Sequence, residues 1–176
     1  MDLAREFRLA LKGDLMKRMA LFLISISLMG AADLYAQSST DLGDLMRRGD
    51  VYLDPETREV YTGAVFARFE EGMISESGVL ENGKKEGRYE YFYLSGRIRM
   101  LETYNGGILE GPTETYFKNE QLADKGAYRE GEWDGPYEAY WVRGWLAERG
   151  NWSLGERCGD WISFGQTIMY PACPNE

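Results

Sequence analysis

Five glycines, Gly63, Gly87, Gly111, Gly135 and Gly159, follow one another at intervals of 24 residues. The segments they open read GAVFARF, GRYEYFY, GPTETYF, GPYEAYW and GDWISFG, and a second glycine returns at a constant offset at Gly83, Gly107, Gly131 and Gly155. A fixed period over most of a chain is the mark of stacked structural repeats, each burying its apolar surface against its neighbours. Helical repeats are disfavoured by the same glycines, since each costs about 1 kcal/mol in a helix interior.

Each unit follows one pattern. Its first half, such as Tyr89–Tyr93, is rich in aromatic residues and fits a strand. A turn follows at Leu94-Ser95-Gly96, Lys118-Asn119-Glu120 and Val142-Arg143-Gly144, with Glu71-Gly72 at the matching place in the first unit. The second half starts from an aliphatic residue, Ile74, Ile98, Leu122 or Leu146, and six residues on reaches Leu80, Tyr104, Tyr128 or Trp152. Even spacing places both on one face of a strand. Asn82-Gly83, Gly106-Gly107, Glu130-Gly131 and Leu154-Gly155 then turn the chain into the next unit, and Asn-Gly and Gly-Gly are strong hairpin dipeptides because they tolerate positive φ.

The predicted fold is all-β: a meander of stacked β-hairpins over 63–170. The even column Phe92, Tyr116, Tyr140 and Phe164, with Ile98, Leu122 and Leu146, is expected to form the shared apolar face. Gly78, Gly126 and Gly150 fall mid-strand, where a ring from the neighbouring strand lying across the glycine would account for them. Glu102 holds the equivalent place in the second unit, so that contact is expected to be weaker there.

YNGGILEGPTETYFKNEQLADKGAY (Tyr104–Tyr128) and YREGEWDGPYEAYWVRGWLAERGNW (Tyr128–Trp152) resemble MORN repeats of the variant pattern Y-x-x-G-x-x-x-G-x-x-x-x-Y/F. The resemblance covers about 63–170 and implies an elongated, single-layer antiparallel sheet of consecutive hairpins with no catalytic site. Bacterial chains of this variant are often labelled antitoxin-like. Gly165-Gln166 breaks the aromatic pattern and marks the last unit as a cap.

The flanks carry different signals. Lys17 and Arg18 precede an apolar run from Ala20 to Ala32, and Ala36 precedes the polar Gln37-Ser38-Ser39-Thr40. That arrangement is expected of a secretory signal peptide cleaved after Ala36, within an N-terminal extension over 1–36. The run is shorter than the ~20 apolar residues of a transmembrane helix, so no stable membrane span is expected in the mature chain. Met1–Leu15 has mixed charges and is read as lying upstream of a true start at Met16, the alternative being a retained amphipathic helix. A polar, flexible lead-in is expected over 37–50, a capping hairpin around Asp54-Pro55-Glu56-Thr57 over 51–62, and a C-terminal tail over 171–176.

Charge and inventory narrow the function. The chain has 20 basic and 29 acidic side chains, and setting aside 5 basic and 4 acidic in residues 1–36 leaves 15 against 25. That excess opposes nucleic-acid phosphates and anionic lipid alike. No histidine is present, which removes the commonest general base and metal ligand. The two cysteines, Cys158 and Cys173, cannot form a Cys/His metal cluster. In an exported chain they suit a disulfide worth roughly 3 kcal/mol; two separate thiols are the alternative. No cofactor and no metal site is expected.

Glu90, Glu114 and Glu138 share one column. Equivalent residues of successive units lie about 10 Å apart, too far for one cation to bridge, so a solvated row is expected. Glu86, Glu110 and Asp134 each precede a repeat glycine and read as part of the repeat. Tyr89, Tyr91, Tyr93, Phe117, Tyr137, Trp141 and Trp161 form an odd aromatic column. It reads either as an exposed binding face or as structural filling by cross-strand aromatic pairs. The reading adopted is an exported, non-enzymatic module that binds a protein partner through that column. The alternatives are stacking on cell-wall glycan, or an antitoxin-like cytoplasmic protein if the N-terminus is not cleaved.

Overall fold

The computed structural model describes residues 39–174, and the expected signal peptide lies outside them. An opening segment comprises β1 (Thr40–Asp41), a 3-10 turn (Leu42–Asp44), β2 (Met46–Arg48) and β3 (Val51–Leu53). The repeats then supply β4 (Gly63–Arg68), β5 (Ile74–Glu81), β6 (Lys84–Phe92), β7 (Ile98–Asn105), β8 (Ile108–Leu109), β9 (Gly111–Tyr116), β10 (Leu122–Arg129) and β11 (Glu132–Trp133). The chain finishes with β12 (Gly135–Tyr140), β13 (Leu146–Ser153), β14 (Glu156–Ser163) and β15 (Gln166–Met169).

The main sheet runs β1-β4-β5-β6-β7-β9-β10-β12-β13-β14-β15, with β8 on β7 and β11 on β10. Apart from β1, which lies parallel to β4, the order is the order of the chain: a long antiparallel meander that does not close into a barrel. The fold class read from the 24-residue period is the one observed.

Hydrogen bonds between successive units explain the period. Each hairpin turn docks on the unit before it. Gly83 N donates to Tyr61 O at 2.7 Å, Gly107 N to Lys85 O at 2.8 Å, Gly131 N to Leu109 O at 2.9 Å and Gly155 N to Trp133 O at 2.8 Å. The amide one residue earlier is capped by a side chain twenty residues back. Asn82 N donates to Thr62 Oγ1, Gly106 N to Glu86 Oε2, Glu130 N to Glu110 Oε2 and Leu154 N to Asp134 Oδ1. Turn amides that would otherwise need water are thus satisfied by the neighbouring repeat. The repeat glycine itself sits at a break in the ladder, and Gly87 holds φ 68° inside β6.

The apolar layer lies on the face opposite to the one expected. Tyr89 and Trp161 of the odd column are fully buried, whereas Phe164 of the even column is 67 % exposed and Leu146 is exposed. The cause is the mid-strand glycines, which occupy the same face as the odd column. A Cβ at Gly78 would stand 2.5 Å from the Tyr89 ring, and one at Gly150 would stand 2.3 Å from the Trp161 indole. Gly126 is covered in the same way by Trp133 and Tyr137. Each glycine opens a slot that the neighbouring ring fills, and this decides which face is dry.

Two apolar regions result. Toward the N-terminus, Leu42, Val65, Leu80 and Tyr89 are buried together, with Leu45, Tyr52 and Tyr61 packed around them. The described part of the expected lead-in is therefore an ordered cap rather than a loose approach. It is pinned by the β1–β4 pairing and by Tyr61 Oη donating to Thr40 Oγ1 at 2.7 Å. The expected 51–62 hairpin is only partial: Tyr61 N bonds to Tyr52 O and Leu53 bridges Val60, but the main partner of β3 is β2. Toward the C-terminus, Tyr128, Trp133, Tyr137, Trp152, Trp161 and Tyr170 form a continuous ring layer, with Trp133 stacked on Trp152 and Tyr137 stacked on Trp161. Cys158 and Cys173 are joined in a disulfide that ties the tail beside β14, where Gly159 N also donates to Pro171 O.

Candidate functional site

The seven aromatics of the odd column separate into two groups. Tyr89, Tyr91, Tyr137 and Trp161 stand on the dry face within the strands. Tyr89 Oη donates to Val79 O at 3.0 Å and Trp161 Nε1 to Asn151 O at 3.0 Å, so their polar ends are satisfied inside the sheet. These two cannot anchor a partner, which corrects their expected role. Tyr93, Phe117 and Trp141 instead begin the turns on one margin of the sheet. There Tyr93 N bonds to Arg97 O, Phe117 N to Gln121 O and Trp141 N to Trp145 O; Phe69 N bonds to Met73 O in the first unit. These rings form a row along the margin.

Tyr91 belongs to a polar chain on the dry face. Lys85 Nζ lies 3.1 Å from Glu76 Oε2 and donates to Tyr91 Oη at 2.9 Å; Tyr91 Oη and Tyr104 Oη are 3.0 Å apart, and Tyr104 Oη donates to Glu102 Oε2 at 2.6 Å. Burial, then the bond to Tyr104, pushes the Tyr91 hydroxyl well above its ordinary value. Burial and the Glu102 carboxylate push Tyr104 up to about 12. These hydroxyls stay protonated at neutral pH and act as donors, the opposite of the lowered pKa that a nucleophilic or basic tyrosine requires. The network arises where the repeat departs from its own pattern. Glu102 replaces the slot glycine, and Thr113 replaces the ring that would have filled it, its Oγ1 donating to Leu101 O at 3.0 Å.

The opposite face is polar. Glu138 accepts from Tyr140 Oη at 2.6 Å and pairs with Lys125 at 2.9 Å, and these contacts hold its carboxyl below the usual range. Glu114 accepts from Tyr116 and Glu90 pairs with Arg88 at 3.1 Å. Each carboxylate in the row has a partner within its own unit. Among the described residues no group of three acidic or cysteine side chains is placed to hold a metal ion.

Two surface features remain. At the C-terminal end of the turn margin, Trp141 is 51 % exposed, Trp145 69 % and Phe164 67 %, with Val142 and Leu146 exposed beside them. Trp141 and Phe164 touch, ring centroids 5.7 Å apart. Exposed apolar surface of this kind makes the corner a candidate interaction site. Trp145 lies outside the odd aromatic column, but its position in the repeat carries a signal of its own. The position after the turn is Arg97 and Gln121 in the middle units, and a tryptophan there breaks a polar position. Toward the other end of the margin an open groove of about 690 Å3 lies at the first two turns, lined by Phe69, Tyr91, Tyr93 and Leu94 together with Arg99 and, from the third turn, Lys118.

No family model and no curated protein matches the chain. Among solved structures it is similar to a chain of the structure described as "Crystal structure of GtfA/B complex bound to UDP and GlcNAc", at 11 % identity over 78 % of this chain and a TM-score of 0.27. It spans about a quarter of the length of that chain (26 %), and a likeness of this degree carries no argument about function.

Proposed function

We propose that this is an exported, non-enzymatic repeat protein of the MORN-variant type, and that its rigid sheet presents an aromatic margin to a protein partner. The observation that carries this reading is the exposed corner of Trp141, Trp145 and Phe164. Tryptophan and other aromatic side chains supply large contact area at low conformational cost and are enriched among interface hot spots. Their setting is favourable, because the turn bearing Trp141 and Trp145 is closed by backbone bonds to itself and Asn119 Nδ2 donates to Val142 O at 3.3 Å. Export is supported by the Cys158–Cys173 disulfide, since such bonds persist in oxidising compartments.

A photo-crosslinking amino acid at position 145, in cells producing the protein, tests the reading. The expected result is one discrete protein adduct that disappears when Trp141 and Phe164 are both changed to Ser without altering the melting curve. No adduct, or retention on purified peptidoglycan that sugars compete away, would replace the protein partner by none or by a glycan. Sequencing the N-terminus of the same material tests export, and a start at Gln37 is expected.

A further inference from the structure

The groove at the first two turns has a composition unlike the exposed corner, and the two are separate surfaces on one margin. Phe69, Tyr91, Tyr93 and Leu94 give its lining an apolar share. Its cations are unequal in what they already do. Arg97 is engaged, with Nη1 donating to Lys118 O at 3.0 Å and Nε 3.7 Å from Glu120, and so it braces the second turn against the third. Glu76, also in the lining, is held by Lys85. Arg99 and Lys118 have no carboxylate within ion-pairing distance among the described residues. The Arg99 guanidinium carbon lies 5.8 Å from the centre of the Tyr91 ring, within cation–π reach.

We infer that this groove receives an acidic peptide segment of the partner, with an apolar side chain on Phe69 and Tyr93 and carboxylates on Arg99 and Lys118. The inference rests on the reading of the chain as a protein-binding module and names the chemistry of what it binds. Charge complementarity selects the occupant: two cations free of carboxylates share the lining with apolar side chains, on a chain whose overall charge is −9. The same complementarity admits an acidic sugar, but the lining argues against one. A 1,4-linked uronate keeps two free hydroxyls and a carboxylate on every ring, so it offers Phe69 and Tyr93 no purely apolar side chain. Burying unpaired hydroxyls costs affinity, whereas a leucine or phenylalanine flanked by glutamates matches both the apolar side chains and the cations.

Fluorescence anisotropy with the full chain tests this. The probe is a fluorescein-labelled, C-terminally amidated peptide, Glu-Glu-Phe-Glu-Leu-Glu-Glu, compared with the same peptide carrying Gln at every Glu. The expected result is saturable binding of the acidic peptide, at least tenfold tighter than the Gln peptide and weakened by raising the salt from 50 to 500 mM. Arg99→Gln with Lys118→Gln is expected to weaken it about tenfold more at low salt while leaving the melting curve in place. Trp145→Ser, on the other surface, is expected to leave peptide binding unchanged. Equal binding of the two peptides, an unchanged affinity in the double variant, or tighter binding of a labelled oligogalacturonate would each overturn the inference. A position-145 adduct that persists alongside any of those results would leave the interaction module standing and remove only the acidic ligand.

Discussion

Gly150 and Trp161 act as one residue pair. The indole sits where a methyl group on residue 150 would go, at 2.3 Å from its ideal position, and Trp161 is fully buried. Gly150→Ala therefore forces the ring out of its slot and is expected to cost about 2–3 kcal/mol by urea denaturation, within the range of overpacking. Trp161→Ala is expected to cost about 3–5 kcal/mol by itself. In that background Gly150→Ala is expected to be nearly neutral, so the double-mutant cycle should show strong coupling. Additive losses would mean that the glycine serves the backbone and not the ring. A second expectation at this scale concerns alkaline pH. Tyr104 and Tyr137 are each pushed up to about 12, chiefly by burial, from an ordinary value of 10. The folded state thus favours the neutral phenol. That stability is complete below pH 10 and is lost as pH rises from 10 toward 12, because the unfolded chain releases the proton first. Urea midpoints should fall across that window, and less steeply when Tyr104 and Tyr137 are both Phe.

At the scale of the element, the sequence announces its turns and conceals its faces. Asn82-Gly83 and Gly106-Gly107 adopt positive φ at both positions, as their composition leads one to expect. The last of these turns keeps the geometry without the favoured residue: Leu154 is held at φ 45° and is half exposed. A leucine there carries a steric penalty of about 1–2 kcal/mol. Leu154→Asn should stabilise the protein by about 1 kcal/mol in thermal unfolding, while Glu110→Ala should destabilise it by about 1 kcal/mol through loss of the cap on Glu130 N. The faces were harder to read because aromatic residues occupy both alternations of each strand. Phe92 and Tyr91 look equally suited to a core. What separates them is the alignment of Gly78, Gly126 and Gly150 with the odd column, a cross-strand relation that depends on the irregularity each repeat glycine introduces into the pairing. The opening cap was illegible for a different reason. Leu42, Leu45, Tyr52 and Tyr61 carry no shared period and meet only through tertiary packing.

For the molecule as a whole, stability is expected to be distributed along the meander, because each unit touches little beyond its neighbours. Both ends are closed by material outside the period: β1 lies on β4, and the tail follows β14 through β15 to the Cys158–Cys173 disulfide, with Pro171 unable to extend the ladder. Removing the disulfide frees the chain between residues 15 apart, worth about 3 kcal/mol in the chain-entropy model. In a globular two-state domain that loss would be shared by every amide. Here it should fall on the last unit. After Cys158→Ser with Cys173→Ser, hydrogen exchange is expected to accelerate in β14 and β15 by about two orders of magnitude. The amides of β5 and β6, more than two units away and packed under the opening cap, should keep their protection. The turn carrying Phe164 lies within the affected region and touches Trp141. The same double variant should therefore also lose the position-145 adduct while still binding the acidic peptide at the first two turns. Uniform acceleration through the whole sheet would instead make it a single cooperative unit, and would link both proposed binding surfaces to the state of one sulfur bridge.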